Sequence, residues 1–166
     1  MAEIRLSSPD RRLHLRVDAP EVERILSFCK HAGRVETGGV LLGRYNARHD
    51  TAVVLDVLGP PSDSAQGRTW FRRGTEGLQD IIDRLWRMRK EHYLGEWHFH
   101  PFAAPSPSSI DYSQMAEIAV SRSWRCPEPV LLIIGGDPRS EWCPYGLVTT
   151  RQKERIHLQV SNSARA

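Results

Sequence analysis

The 166 residues match the length of one ordinary domain, and with 40% hydrophobic residues the chain buries a core without disulfide or metal staples. Its 23 basic and 20 acidic residues are spread along the chain, so the formal charge of +3 forms no basic arm or stripe and nucleic acid is not an expected partner. The longest apolar run, Val130 to Ile134, is too short to span a bilayer, and the opening residues lack a signal-peptide stretch. A soluble, cytoplasmic protein without a membrane partner is expected. Cys29, Cys126 and Cys143 form no C-x-x-C pair and read as buried or idle thiols.

In chain order, Leu13 to Val17 alternates as a strand, and Pro20 to His31 places Val22, Ile25, Leu26 and Cys29 at helical spacing. Asp18 or Pro20 starts that helix and Gly33 ends it. Val35 to Tyr45 and Thr51 to Leu58 read as a β-hairpin joined by the polar stretch 46–50. Gly59 to Gly67 is a loop, and Thr69 to Arg72 a short strand. Thr75 to Glu91 is the clearest helix, with Leu78, Ile81, Ile82, Leu85 and Met88 on one face. Tyr93 to His100 reads as a strand, Pro101 to Pro107 as a loop and Ser108 to Val120 as a helix. Strands resume at Pro129 to Ile134 and Gly146 to Thr150. Arg151 to Val160 is ambiguous between strand and helix, and 161–166 reads as a frayed tail, leaving a single domain over 1–160.

Chemistry concentrates in Gly95-Glu96-Trp97-His98-Phe99-His100-Pro101. His98 and His100 leave one face of the strand, so both imidazoles can reach one ion, while Trp97 and Phe99 turn to the core. The chain returns through the Pro-rich loop to Ser108-Ser109-Ile110-Asp111, which puts a carboxylate in the first turn of a helix. Ser108 and Asp111 also read as a capping box with Asp in place of Glu. Two histidines and a carboxylate leave a fourth tetrahedral position open, as in a catalytic zinc site. Glu96 reads as pointing away from His98, in a structural or supporting role. His14, His31, His49, His92 and His157 have no ligand-like spacing.

The joint pattern His98-x-His100-Pro101 and Ser108-x-x-Asp111, with Glu36-Thr37-Gly38-Gly39-Val40-Leu41-Leu42-Gly43 upstream, resembles the signature of the JAMM (JAB/MPN) zinc metalloprotease family. The resemblance runs from about Leu13 to about Thr150. It implies an α/β, cytidine-deaminase-like JAB/MPN fold, in which a mixed, curved sheet is flanked by helices with the metal at one edge. It also implies one Zn2+ per chain held by His98, His100 and Asp111, with Glu36 as general base and Ser108 as an oxyanion donor. By local sequence alone Glu36 reads as a solvated residue near a bulge or turn. Gly38 and Gly39 would let an extended substrate approach the backbone.

Family members cleave after the C-terminal tail of ubiquitin-like proteins, and this chain looks most like small bacterial deconjugating isopeptidases. Some of these accompany ubiquitin-activating-like and conjugating-like enzymes in antiphage operons. The insertion that gives linkage selectivity to eukaryotic deubiquitinases is missing, so polyubiquitin is not the expected substrate. Two other readings share the fold: a peptidase trimming a sulfur-carrier protein, and a non-catalytic MPN interaction module. The RadC branch fits less well, because this chain reads His-Phe-His-Pro-Phe-Ala. A zinc nucleobase deaminase is disfavoured by the missing Pro-Cys-x-x-Cys.

Overall fold

The computed structural model describes residues 2–161. In chain order the elements are β1 (Ile4–Ser7), β2 (His14–Val17), α1 (Ala19–Ala32), β3 (Thr37–Tyr45), β4 (Thr51–Leu58), β5 (Ala65–Gln66) and β6 (Phe71–Arg72). There follow α2 (Leu78–Arg89), β7 (His92–Pro101), α3 (Ser109–Val120), β8 (Val130–Gly136), β9 (Trp142–Thr149) and β10 (Arg155–Val160). The sheet is mixed and curved as expected, but the curvature goes to closure, in the order β1-β10-β9-β8-β7-β3-β4-β2. The expected sheet edge beside the metal residues is therefore replaced by a barrel wall. Bulges help the bending: the β3/β7 register shifts between Leu41 and Leu42, and the β3/β4 register between Leu42 and Gly43.

Closure depends on two strands the sequence reading missed or left open. β1 was not anticipated, because four residues with only Ile4 and Leu6 turned inward carry little periodic signal. The ambiguous segment before Val160 is strand β10, and Leu6 pairs with Val160 to shut the barrel. Ser161, expected in the frayed tail, instead donates its N–H to the Arg5 carbonyl at 2.8 Å and meets the Ser7 hydroxyl. The rest of that predicted tail, 162–166, lies outside the described residues. The predicted loop before Gly67 also holds β5, which pairs with β6 as a small separate hairpin.

α1 begins and ends where expected. Asp18 is its N-cap by backbone, although the carboxylate turns to Arg16 at 2.6 Å, and Gly33 ends the helix at φ 67°. Val22, Ile25, Leu26 and Cys29 close one core with the barrel interior, which includes Leu15, Val54, Trp97, Phe99 and Leu132. Trp97 and Phe99 are fully buried, each contributing roughly 2–3 kcal/mol of transfer free energy.

A second core lies on the outer wall, where Val40, Leu42, Tyr93, Leu131 and Ile133 meet Leu78 and Leu85 of α2 and Met115 and Ile118 of α3. Met88, predicted on the buried face of α2, is 71% exposed. The helix stops at Arg89, and of its apolar face only Leu78 and Leu85 are fully buried. α3 is the crossover that makes β8 run parallel to β7, and its N-terminus therefore lies near the end of β7.

Candidate active site

The alternation along β7 sorts the site. Trp97 and Phe99 point into the barrel, whereas Glu96, His98 and His100 share the outer wall with the second core, beside α3. The ligand atoms of His98, His100 and Asp111 lie within 4.8 Å of one another. Tetrahedral coordination with bonds near 2.0–2.1 Å places donors about 3.3 Å apart, so one ion fits after small side-chain adjustments. His98 and Asp111 are buried and His100 is half-buried.

Asp111 does two jobs with its two oxygens. Oδ2 accepts from the Ser108 backbone N–H at 2.6 Å and from the Ser108 hydroxyl at 2.8 Å, while the Asp111 N–H donates to Ser108 Oγ at 3.2 Å. This is the anticipated capping box. Oδ1 remains for His98, whose Nδ1 stands 3.0 Å away. The same hydroxyl that was assigned to an oxyanion is thus turned to Asp111.

Burial alone would push the His98 imidazole down, but Asp111 and Glu96 outweigh it and raise its pKa to about 9. Burial acts upward on Asp111, yet its bonds to His98 and Ser108 bring the carboxyl down to about 2. His100 is shifted down by burial, against the pull of Asp111, which favours the neutral imidazole a metal requires. The donor chemistry and spacing therefore fit a divalent ion.

Glu36 immediately precedes β3, which begins at Thr37 rather than Val35, and its N–H donates to the Gly67 carbonyl at 2.8 Å. Its pKa is raised, first by burial and further by Asp111, with His98 opposing. Glu36 thus feels the His98–Asp111 cluster electrostatically without belonging to the ligand set. Gly38 is opposite His98 in the β3/β7 ladder. A side chain there would strike the Trp97 carbonyl and the Phe71 and His98 rings, and one on Gly39 would strike the Leu58 carbonyl. Thr37, Gly38 and Gly39 pair with β7, while the β4 ladder stops at Val40.

The reading of Glu96 is corrected. Two residues from His98 on a strand, it shares the histidine's face, and its Oε2 stands 3.6 Å from His98 Nε2. Period-two alternation was the available signal. Burial raises the Glu96 pKa, but His98 and Arg73 outweigh it and leave the carboxyl below its ordinary range. Arg73, Tyr93 and Gln114, which also bond Glu96, carry no sequence signal that would have joined them to the site. The five histidines set aside stay outside the metal cluster. His92 instead lines a cavity of about 630 Å³ with Trp86 and Trp124, at the opposite end of β7 from His98 and His100.

The profile of the prokaryotic homologs of the JAB domain matches residues 18–145, and the chain belongs to that family. Its relatives include a CD-NTase/cGAS isopeptidase of Enterobacter hormaechei, 36% identical over 95% of this chain and 87% of that protein. A probable metalloprotease of Sinorhizobium fredii is 32% identical, over 76% of this chain and 78% of that one. A CD-NTase/cGAS isopeptidase of Vibrio cholerae is 35% identical over 69% and 71% of the two chains. These names describe hydrolases, and the present chain is an enzyme of that class. A solution structure of a Desulfitobacterium hafniense protein shares the fold at a TM-score of 0.54 and 19% identity, covering 89% of this chain and 88% of that one.

Proposed function

We propose that this chain is a single JAMM-type catalytic domain over 1–160, a zinc-dependent isopeptidase cleaving after the C-terminal tail of a ubiquitin-like protein. The carrying observation is the convergence of His98, His100 and Asp111 within 4.8 Å. The name of these relatives, CD-NTase/cGAS isopeptidase, supports the isopeptide bond as the target. Carried over to this chain, it makes a CD-NTase/cGAS-type protein the conjugate. Ubiquitin-activating-like and conjugating-like enzymes of an antiphage operon would supply that conjugate.

His98, His100 and Asp111 would hold one zinc, which when bound polarises the scissile carbonyl and acidifies a water. The remaining chemistry belongs to the chain. Glu36 takes a proton from the attacking water as its oxygen bonds the carbonyl carbon, and returns it to the nitrogen as the C–N bond breaks. The products are a free tail carboxylate and an amine. Ser108 can donate to the oxyanion once its hydroxyl turns from Asp111 Oδ2. The groove role expected of Gly38 and Gly39 is corrected: both are buried, with Phe71, His98, Trp97 and Leu58 packed where a side chain would stand, so they serve close strand packing and not a substrate floor.

The test uses purified protein with a ubiquitin-like conjugate, a ubiquitin-like precursor and a sulfur-carrier precursor, read by mass spectrometry. The expected result is about one zinc per chain and cleavage of the isopeptide conjugate. Alanine at His98, His100 or Asp111 should remove the metal. Glu36→Gln should keep it and lose at least ~10²-fold in rate. Full activity in Glu36→Gln overturns the base assignment, and zinc-dependent trimming of the sulfur carrier alone overturns the substrate class.

A further inference from the structure

Glu96 is completely buried, and four side chains converge on its carboxylate. Arg73, whose side chain is 5% exposed, donates from Nε to Oε1 at 2.8 Å and places Nη2 2.7 Å from the same oxygen. The Tyr93 hydroxyl donates to Oε1 at 3.2 Å. Oε2 accepts from the Gln114 amide of α3 at 3.1 Å and faces His98 Nε2 at 3.6 Å. Among the described residues that buried Nε2 has no hydrogen-bond partner, while Nδ1 of the same ring faces Asp111. Trp124 backs the group, with the Arg73 guanidinium 5.0 Å above its ring and the Tyr93 ring 4.6 Å away.

Stability is a poor explanation for this arrangement, because desolvation of a buried ion pair commonly offsets its attraction and apolar residues would pack the space as well. The ring of His98 gives the better one. One nitrogen is aimed at the ligand cluster and the other at an anionic oxygen, and such an outer carboxylate fixes the tautomer, orients the ring and makes the ligating nitrogen more basic. Gln114 and Arg73 come from different segments of the chain, so two separate parts of the fold hold the carboxylate on the outer face of the wall.

We propose that Glu96 is a positioning residue of the metal centre, accepting the Nε2–H of His98 so that Nδ1 is presented to the ion, and that Arg73 holds Glu96 in that pose. The inference rests on the metal-centre reading above. It assigns Arg73, from the segment between the β5–β6 hairpin and α2, to metal binding at one remove.

The experiment measures zinc affinity by chelator competition, the visible spectrum of the cobalt-loaded protein and the melting of the metal-free protein, for wild type and Glu96→Gln. The variant should bind zinc 10–100-fold more weakly, the loss typical when such an outer partner is removed, and its cobalt spectrum should shift. The double variant Arg73→Gln/Glu96→Gln leaves no charge buried alone and covers the case in which the single variant fails to fold. It should show the same loss of affinity. Wild-type affinity and an unshifted spectrum in a folded variant, whatever its melting temperature, overturn the proposal. A wild-type protein that binds neither zinc nor cobalt overturns the metal centre itself, and this inference with it.

Discussion

Glu36 is where residue-scale physics bears most directly on the reaction. A general base works only as the carboxylate, and burial together with the nearby Asp111 charge raises its pKa despite the opposing pull of His98. In the metal-free protein the Glu36 carboxyl should therefore titrate above the ordinary glutamate value near 4.5. An NMR titration of the chelator-treated protein, with Glu36→Gln to assign the signal, checks it. A midpoint at or below the ordinary value would remove burial and the Asp111 charge as the dominant influences on Glu36. His98, His100 and Asp111 were readable as residues, since spacing on a strand and position in a first helical turn are local properties. Glu96 was equally open to that reasoning, and applying the two-residue period to it as strictly as to His98 and His100 places it on their face.

At the scale of elements, the start of α3 couples helix capping to the ligand cluster. Ser108 satisfies the Asp111 N–H, and Asp111 in return accepts from the Ser108 backbone. Ser108→Ala should cost the metal-free protein about 0.5–2 kcal/mol, measured by denaturant unfolding, whereas Ser108→Thr should retain most of the cap. Equal stability of Ser108→Ala and wild type would refute the cap. β3 carries another element-scale constraint. Gly39 leaves room for the Trp97 indole to donate to the Leu58 carbonyl at 2.9 Å, which ties the glycine pair to the adjoining strands. The sequence reading assigns these glycines to substrate access, and only the packed sheet shows the packing demand that takes its place. Helix α2 shows the reverse limit. Its apolar periodicity names Met88 as core, but burial depends on what the fold packs against each turn, which periodicity does not encode: Leu78 and Leu85 are buried and Met88 is exposed.

For the whole molecule, the metal-free site is itself an electrostatic contributor to stability. His98 is raised from 6.5 to about 9, so its contribution is complete below pH 6.5 and is lost as pH climbs through 9. Asp111 is depressed from 3.8 to about 2, so its share is present above 3.8 and fades as pH falls towards 2. The melting temperature of the chelator-treated protein should therefore fall between about pH 6.5 and 9, and His98→Gln should flatten that fall. The zinc-loaded protein should hold its melting temperature over the same range, because the ion takes the place of the proton on His98. Identical pH dependence in metal-free wild type and His98→Gln would remove His98 as the cause.

What the sequence by itself determined is what short-range rules govern: the paired histidines on one strand face, the Ser108–Asp111 helix start, the β3–β4 hairpin, the caps of α1 and the inward turn of Trp97 and Phe99. Family resemblance added Glu36, which no local rule distinguishes from a surface acid. Tertiary structure alone decided the closure of the barrel through β1 and β10, the placement of Glu36 within electrostatic reach of Asp111, and the convergence of Arg73, Tyr93 and Gln114 on Glu96. The physical reason is distance along the chain. Leu6 meets Val160, and Glu36 meets the charge of Asp111, only after long loops have been closed and every intervening strand has found its register.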